Sequence, residues 1–223
     1  MRELADGVFY LPLMPRAGVN AYLIGDVLVD AGFSWQAKRV LAGVRGRIVR
    51  SHVLTHAHVD HAGGTRKVVD ALNVPVLAGE RDLPALVSGH PEMGFRGLLE
   101  KPGAAYGSFP AVHEATGLGE GDTVGGDFTV LDTPGHSPGH ISLWRERDGV
   151  LICGDVINNM NLLTTVPGIR QPPGVFTPDA VENRRSIRRI AELEPRLVLV
   201  GHGPPLKKDA AGVLQRFAAG LPD

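Results

Sequence analysis

A single cysteine, Cys153, stands among 223 residues, so no intramolecular disulfide can staple the fold and its own core must hold it. No charged start followed by an apolar stretch marks a secretory signal, and no apolar run approaches the roughly 20 residues that cross a bilayer. The expectation is a cytoplasmic protein without a membrane partner. Basic excess is also missing: 23 Lys and Arg against 24 Asp and Glu give a formal charge of -1. Without a basic footprint there is no electrostatic case for a nucleic-acid partner. The hydrophobic share, 43%, is enough to fill the core of one α/β domain covering 1–223. A homodimer is left open.

What is present in unusual density is the run Thr55-His56-Ala57-His58-Val59-Asp60-His61. It follows the apolar stretch 48–54 and precedes Gly63-Gly64. Imidazoles and a carboxylate crowded at one strand end repel when charged and need hydrogen-bond partners when neutral. A divalent cation is the simplest thing that satisfies them together. Three more candidates lie downstream: His136 in Asp132-Thr133-Pro134-Gly135-His136, Asp155 in Ile152-Cys153-Gly154-Asp155, and His202 in Val200-Gly201-His202-Gly203. Each follows a short apolar or β-branched run and sits beside a Gly that lets the chain turn at the strand end. Ligands delivered from several strand ends converge on one edge of a sheet.

With Asp30-Ala31-Gly32 ahead of them and Gly201-His202-Gly203-Pro204-Pro205 closing the set, these motifs make the chain resemble the metallo-β-lactamase-fold superfamily of metallohydrolases, in its glyoxalase II-like and lactonase-like branch. The resemblance covers nearly the whole chain and implies an α/β fold, a four-layer αββα sandwich. It implies that His56, His58 and His136 hold a first metal, that Asp60, His61 and His202 hold a second, and that Asp155 bridges them. Asp30 would lie beneath the ligands. Two Zn2+ per chain are the implied cofactors, with Fe, Mn or Co compatible with the same nitrogen and oxygen donors. Zinc lowers the pKa of bound water to about 7 and so supplies a nucleophile without Ser or Cys. Asp60 would orient that nucleophile and carry a proton, the one catalytic role assigned to a side chain.

The implied enzyme is a hydrolase acting on the carbonyl of an ester, lactone or thioester. Asp155 stands where zinc β-lactamases of the commonest type carry Cys, and Cys153 is no substitute, so a dedicated β-lactamase is not expected. A glutathione site is not expected either, because the stretch after His202 offers only Lys207-Lys208 as a basic pair. Two alternatives remain: a mononuclear iron persulfide dioxygenase, which needs only two His and one carboxylate, and a nuclease of the same fold.

Patterning places strands over 7–13, 19–24 and 27–30, a helix to 44 capped by Ser34, and a helix over 64–72. A strand over 74–77 and a helix over 80–87 follow. The second half repeats the theme, with strands over 123–131, 140–147 and 150–153. Thr177-Pro178-Asp179 then opens a helix, with Pro at its first position, that runs to 193. Its Arg184, Arg185 and Arg188 point away from the face of Ile187, Ile190 and Ala191, as on an amphipathic helix. His140 reads as a partner of the ligands, His52 as buried and hydrogen-bonded, and His90 and His113 as loop residues without a role. The irregular segments 90–111 and 157–176 mix large apolar side chains with Gly and Pro, as binding loops do. They predict a small-molecule substrate with an apolar acyl part, Arg170 being the candidate for a carboxylate contact.

Overall fold

The computed structural model describes residues 1–94 and 107–222. Strands β1 (Arg2–Ala5), β2 (Val8–Pro12), β3 (Asn20–Ile24), β4 (Val27–Val29), β5 (Ser51–Leu54), β6 (Val76–Gly79) and β7 (Thr116–Leu118) form one sheet in that order. It is antiparallel from β1 to β4 and parallel from β4 to β7. The second sheet is built from β8 (Thr123–Val124), β9 (Phe128–Asp132), β10 (Ile141–Arg145) and β11 (Val150–Gly154). After a two-stranded ribbon, β12 (Asn158–Met160) with β13 (Pro167–Arg170), strand β14 (Leu197–Val200) joins its far side parallel to β11. Because β9 and β11 are both antiparallel to β10, β9, β11 and β14 all run toward one edge.

The alternation of side chains explains the four layers. Tyr22, Ile24, Val29 and Val53 from the first sheet pack with Val130, Leu143, Ile152 and Leu199 from the second in one buried cluster. Their sequence neighbours point the other way. Leu23 and Leu28 meet Val40 of α1 (Ala37–Gly43) and Val68 further on. Leu54 and Ala78 meet Ala62 of α2 (Val59–Ala62), Val69 of α3 (Thr65–Leu72) and Leu86 of α4 (Leu83–Ser88). Leu151, Cys153, Val198 and Val200 meet Ile187 and Ile190 of α5 (Ala180–Glu192) and Leu214 of α6 (Ala210–Ala219). A strand buried on both faces reads as a continuous apolar run, which is why Leu197-Val198-Leu199-Val200 shows no polar alternation. Each fully buried Val, Leu or Ile contributes roughly 1.5–3 kcal/mol. The αββα sandwich is therefore the observed fold. Among the described residues no helix is long and apolar enough to cross a membrane.

Several boundaries differ from the sequence reading. The strand expected over 123–131 is a hairpin, β8 pairing with β9 so that Val124 faces Phe128, because Gly125 and Gly126 take φ of 59° and 87° and turn the chain. Ser34 caps nothing: the buried Gln36 accepts a hydrogen bond from the Phe33 amide at 2.9 Å and donates to the Leu13 carbonyl at 3.2 Å, and α1 starts behind it. Asp179, not Thr177, caps α5 by accepting from the Glu182 amide at 2.8 Å, an interaction worth about 1 kcal/mol, so Pro178 precedes the helix instead of opening it. The ribbon β12–β13 occupies part of 157–176, and β1, β7 and α2 were not anticipated. Phe95, Leu98, Leu99, Pro102 and Tyr106, expected in a pocket loop, lie outside the described residues.

Candidate metal centre

The sequence places each cluster residue just past the C-terminal end of a strand. Beyond β5 the chain bends at Thr55 and runs on to His58, whose backbone is extended and which precedes α2, and the single turn of α2 then carries Asp60 and His61. Asp30, beyond β4, adopts φ of 59°. A non-glycine residue held in that left-handed region costs energy and persists where the surroundings over-determine it. Here they do: Asp30 Oδ1 accepts from the Thr55 amide at 2.9 Å, and the Ala31 amide donates to the His61 carbonyl at 2.9 Å. The tight turn after β4 is thereby bonded to both ends of the His56-to-His61 string. His136 follows β9, Asp155 follows β11 and His202 follows β14.

All seven residues meet. One donor atom from each of His56, His58 and His136 lies within 4.8 Å of the others, and the same holds for Asp60, His61 and His202. Asp155 stands between the two sets: Oδ1 is 3.6 Å from His61 Nε2, while Oδ2 is 3.6 Å from His136 Nε2 and 3.0 Å from His202 Nε2. Asp60 Oδ2 is 3.1 Å from His202 Nε2.

The outer nitrogen of each imidazole is occupied. His56 Nδ1 lies 3.0 Å from Thr55 Oγ1, whose hydroxyl donates to Asp30. His61 Nδ1 lies 2.8 Å from Asp30 Oδ2 and His136 Nδ1 3.2 Å from Thr177 Oγ1. His202 Nδ1 donates to the Gly18 carbonyl, and His58 Nε2 to the Glu92 carbonyl at 3.3 Å. Such partners fix the tautomer and turn the remaining lone pair inward. Inward, His56 Nε2, His61 Nε2, His136 Nε2 and Asp155 Oδ1 are buried without a hydrogen-bond partner. Buried polar atoms left so are costly. Divalent cations would satisfy such atoms, and the nitrogen and oxygen donor set suits zinc or a related transition metal.

The electrostatics of the side chains divide the cluster into two halves. Burial, reinforced by the neighbouring imidazoles, holds His56 and His136 well below the usual histidine range, and burial lowers His58 as well. These three are neutral donors, ready for a cation. Around the other set burial is overcome by charge. His61 is raised to about 9 by Asp30, Asp155 and Asp60, and His202 is raised well above its ordinary value by Asp155 and Asp60. The carboxyls of Asp60 and Asp155, although buried, are correspondingly held down by these histidines.

The remaining assignments resolve cleanly. His140 is a partner of the ligands: its Nε2 accepts the Asp155 amide at 3.0 Å and its Nδ1 lies 2.9 Å from Thr133 Oγ1, with burial lowering its pKa to about 3. The neutral ring is the form that can accept. His52 is buried between the Leu28 carbonyl and Thr65 Oγ1. His90 and His113 are exposed. Cys153 faces Ile187 and Ile190 on the outer side of the second sheet, away from the cluster. Sequence reasoning missed Thr55 and Thr177. Thr55 had a signal, standing one residue before His56. Thr177 was read as a helix cap and instead supports His136.

Above the cluster opens a cavity of about 370 Å³. Asp60, Asp155, His58, His136 and His202 form its polar floor, and Phe33, Pro91, Met93, Leu162, Pro173 and Phe176 supply apolar wall. Both segments singled out as pocket loops therefore reach it. Arg170 does not line it; its Nε donates to the Gly168 carbonyl of its own ribbon at 3.1 Å.

Comparison with known proteins agrees with this geometry. The family model described as "Metallo-beta-lactamase superfamily" matches residues 14–202. The probable metallo-hydrolase YflN of Bacillus subtilis (strain 168) is 30% identical over 200 residues, covering 81% of this chain and 76% of its own. Among solved structures, TTHA1623 in a di-iron-bound form is 28% identical with a TM-score of 0.68, covering 94% of this chain and 99% of that one. The BLEG-1 B3 metallo-β-lactamase is 26% identical with a TM-score of 0.67, covering 96% and 100%.

Proposed function

The chain belongs to the metallo-β-lactamase superfamily, and from that premise we propose that it is a dinuclear metal-dependent hydrolase of an ester, lactone or thioester with an apolar acyl part. The observation that carries the reading is the set of inward donors of His56, His61, His136 and Asp155 that have no hydrogen-bond partner, of which His136 and Asp155 reach the floor of a largely apolar cavity. His56, His58 and His136 would hold one ion, Asp60, His61 and His202 the other, with Asp155 shared. Two divalent ions held there would polarise a carbonyl and make bound water a nucleophile at neutral pH. Zinc is the metal the reading names; the TTHA1623 structure contains iron, so iron is its nearest competitor.

The chain's own residues contribute position and a proton relay. Asp60 lines the cavity at 24% side-chain exposure and meets His202 at 3.1 Å, so it can accept a proton from water attacking a carbonyl above it and return the proton to the leaving group. Phe33, Met93, Leu162 and Phe176 exclude water and give an acyl chain its contact area. No Lys or Arg lines the cavity among the described residues, which favours a neutral substrate over a phosphorylated one. The reading includes a cytoplasmic location and a small-molecule partner.

Metal analysis of the purified protein, with a screen of lactone, thioester, phosphodiester and β-lactam substrates, tests it. Two metals per chain with turnover of a carbonyl ester class are expected. One iron per chain would favour the persulfide dioxygenase, phosphodiester turnover the nuclease, and efficient β-lactam turnover would align the chain with BLEG-1.

A further inference from the structure

Asp82 is a fully buried carboxylate, 1% exposed, outside the seven-residue cluster. Its Oδ2 accepts the Ala57 amide at 2.9 Å and the Ser137 hydroxyl at 2.7 Å, and its Oδ1 accepts the Gly139 amide at 2.6 Å. Three donors and no acceptor face it, which matches the acceptor-only chemistry of a carboxylate. Among the described residues no cationic side chain pairs with it.

The three donors are not scattered. Ala57 is the residue between His56 and His58, Ser137 follows His136, and Gly139 precedes His140, the acceptor for the Asp155 amide. One carboxylate thus ties the strand end that carries two imidazoles of the first set to the loop that carries the third. The main chains around it are in direct apposition: a Cβ at Gly139 would lie 2.3 Å from the Asp82 nitrogen, and one at Gly79 would lie 2.0 Å from the Gly139 carbonyl oxygen. Between the end of β5 and this loop the main chain supplies one hydrogen bond, from the Ile141 amide to the Thr55 carbonyl at 2.9 Å, which lies on the far side of His56 from Ala57 and leaves the Ala57–His58 side to Asp82. Asp82 supplies hydrogen bonds to both, and charge-assisted bonds are roughly twice as strong as neutral ones.

We propose that Asp82 is a positioning residue that sets the distance between the His56/His58 strand end and the His136 loop, and through it the affinity and geometry of the first metal. This rests on the reading of the cluster as a two-metal site. The test compares wild type with Asp82→Asn, which keeps the shape but turns one amide toward a donor. Each protein is stripped, titrated with Zn2+ against a chromophoric chelator, and loaded with Co2+ for its visible spectrum.

The expected result is that one of the two ions binds about 10–100-fold more weakly and that the Co2+ bands of that site shift, while the other ion is held as in wild type. Ser137→Ala, which removes a single donor, should change the same ion in the same direction by less. Should Asp82→Asn fail to fold, Ser137→Ala decides alone. Wild-type affinity for both ions and an unchanged Co2+ spectrum, with only a lower melting temperature, would overturn the proposal and leave Asp82 a packing residue. A wild-type chain that takes up no metal would instead overturn the proposed function, and this inference with it.

Discussion

Gly201→Ala should strip the centre without replacing any of its seven candidate ligands. A Cβ on Gly201 would stand 2.0 Å from Asp155 Oδ1 and 2.6 Å from His61 Cε1. Ordinary carbon contacts lie near 3.5–4.0 Å, so the carboxylate must retreat by about 1.4 Å or more. It has little room. Its amide is bonded to His140, and its other oxygen lies 3.0 Å from His202. Metal sites tolerate ligand distances within about 0.2 Å, several times less than the imposed shift, and the displaced group serves both halves. The expected loss is at least about 100-fold in affinity, roughly 2.7 kcal/mol. The fold should survive, because the Gly201 amide keeps its bond to the Gly154 carbonyl at 2.8 Å. Dialysis against a graded chelator series followed by elemental analysis reads the affinity, and the melting temperature of the stripped protein controls for folding. An alanine variant that keeps two metals at wild-type affinity would refute the bridging role of Asp155.

Three further outcomes follow from the same geometry. Asp60→Asn should cost turnover far more than stability, since Asp60 lines the cavity at 24% side-chain exposure while its one close ion-pair partner is His202 at 3.1 Å; near-normal turnover would make it a structural turn residue. The stripped protein should be most stable near pH 6.5, because the neutral His56, His58, His136 and His140 withdraw stability as pH falls below their unfolded value, whereas His61, raised to about 9, withdraws it as pH climbs toward that value and His202, raised well above its ordinary value, withdraws it as pH climbs further; denaturant melts across pH would show a steady rise to pH 9 if that assignment were wrong. Phe176→Ala should raise KM for long-chain acyl substrates more than for short ones, since it removes wall that only the long chain reaches; equal effects would place the acyl chain elsewhere.

Much of the centre was legible because its signal is local. Four donors within His56 to His61 and a Gly beside each of His136, Asp155 and His202 are short-range patterns, and the apolar runs before them announce the strand ends that carry them. The supports were harder to see. Asp30 could be placed under the site from its Asp-x-Gly pattern, but Asp82 lies inside a run that reads as an ordinary helix, and nothing in Glu80-Arg81-Asp82 marks a carboxylate that reaches Ala57 and Gly139. Thr177 and the Gly18 carbonyl are equally silent, since a hydroxyl or main-chain oxygen acquires its role only when a distant loop arrives. Helix starts erred for the same reason. Ser34 and Thr177 have good capping chemistry, yet Gln36 and Asp179 win once tertiary contacts fix the backbone.

On the proposed two-metal reading, the supports also explain how this chain would hold two ions without a soft ligand. In the first set every imidazole is neutral and its outer nitrogen is spoken for, by Thr55, Glu92 and Thr177, so three lone pairs await a cation with little reorganisation. In the second set the same job falls to charge: Asp30 beneath His61 makes that ring a better donor once its proton leaves, and Asp60 and Asp155 repay the proton's departure with anionic ligation. Metal uptake at the second set must therefore release protons at neutral pH while uptake at the first need not. Calorimetric titration in buffers of different ionisation enthalpy should resolve one binding step with proton release from another without it. Equal proton release in both steps would mean that the two halves do not differ in the way their hydrogen bonds imply.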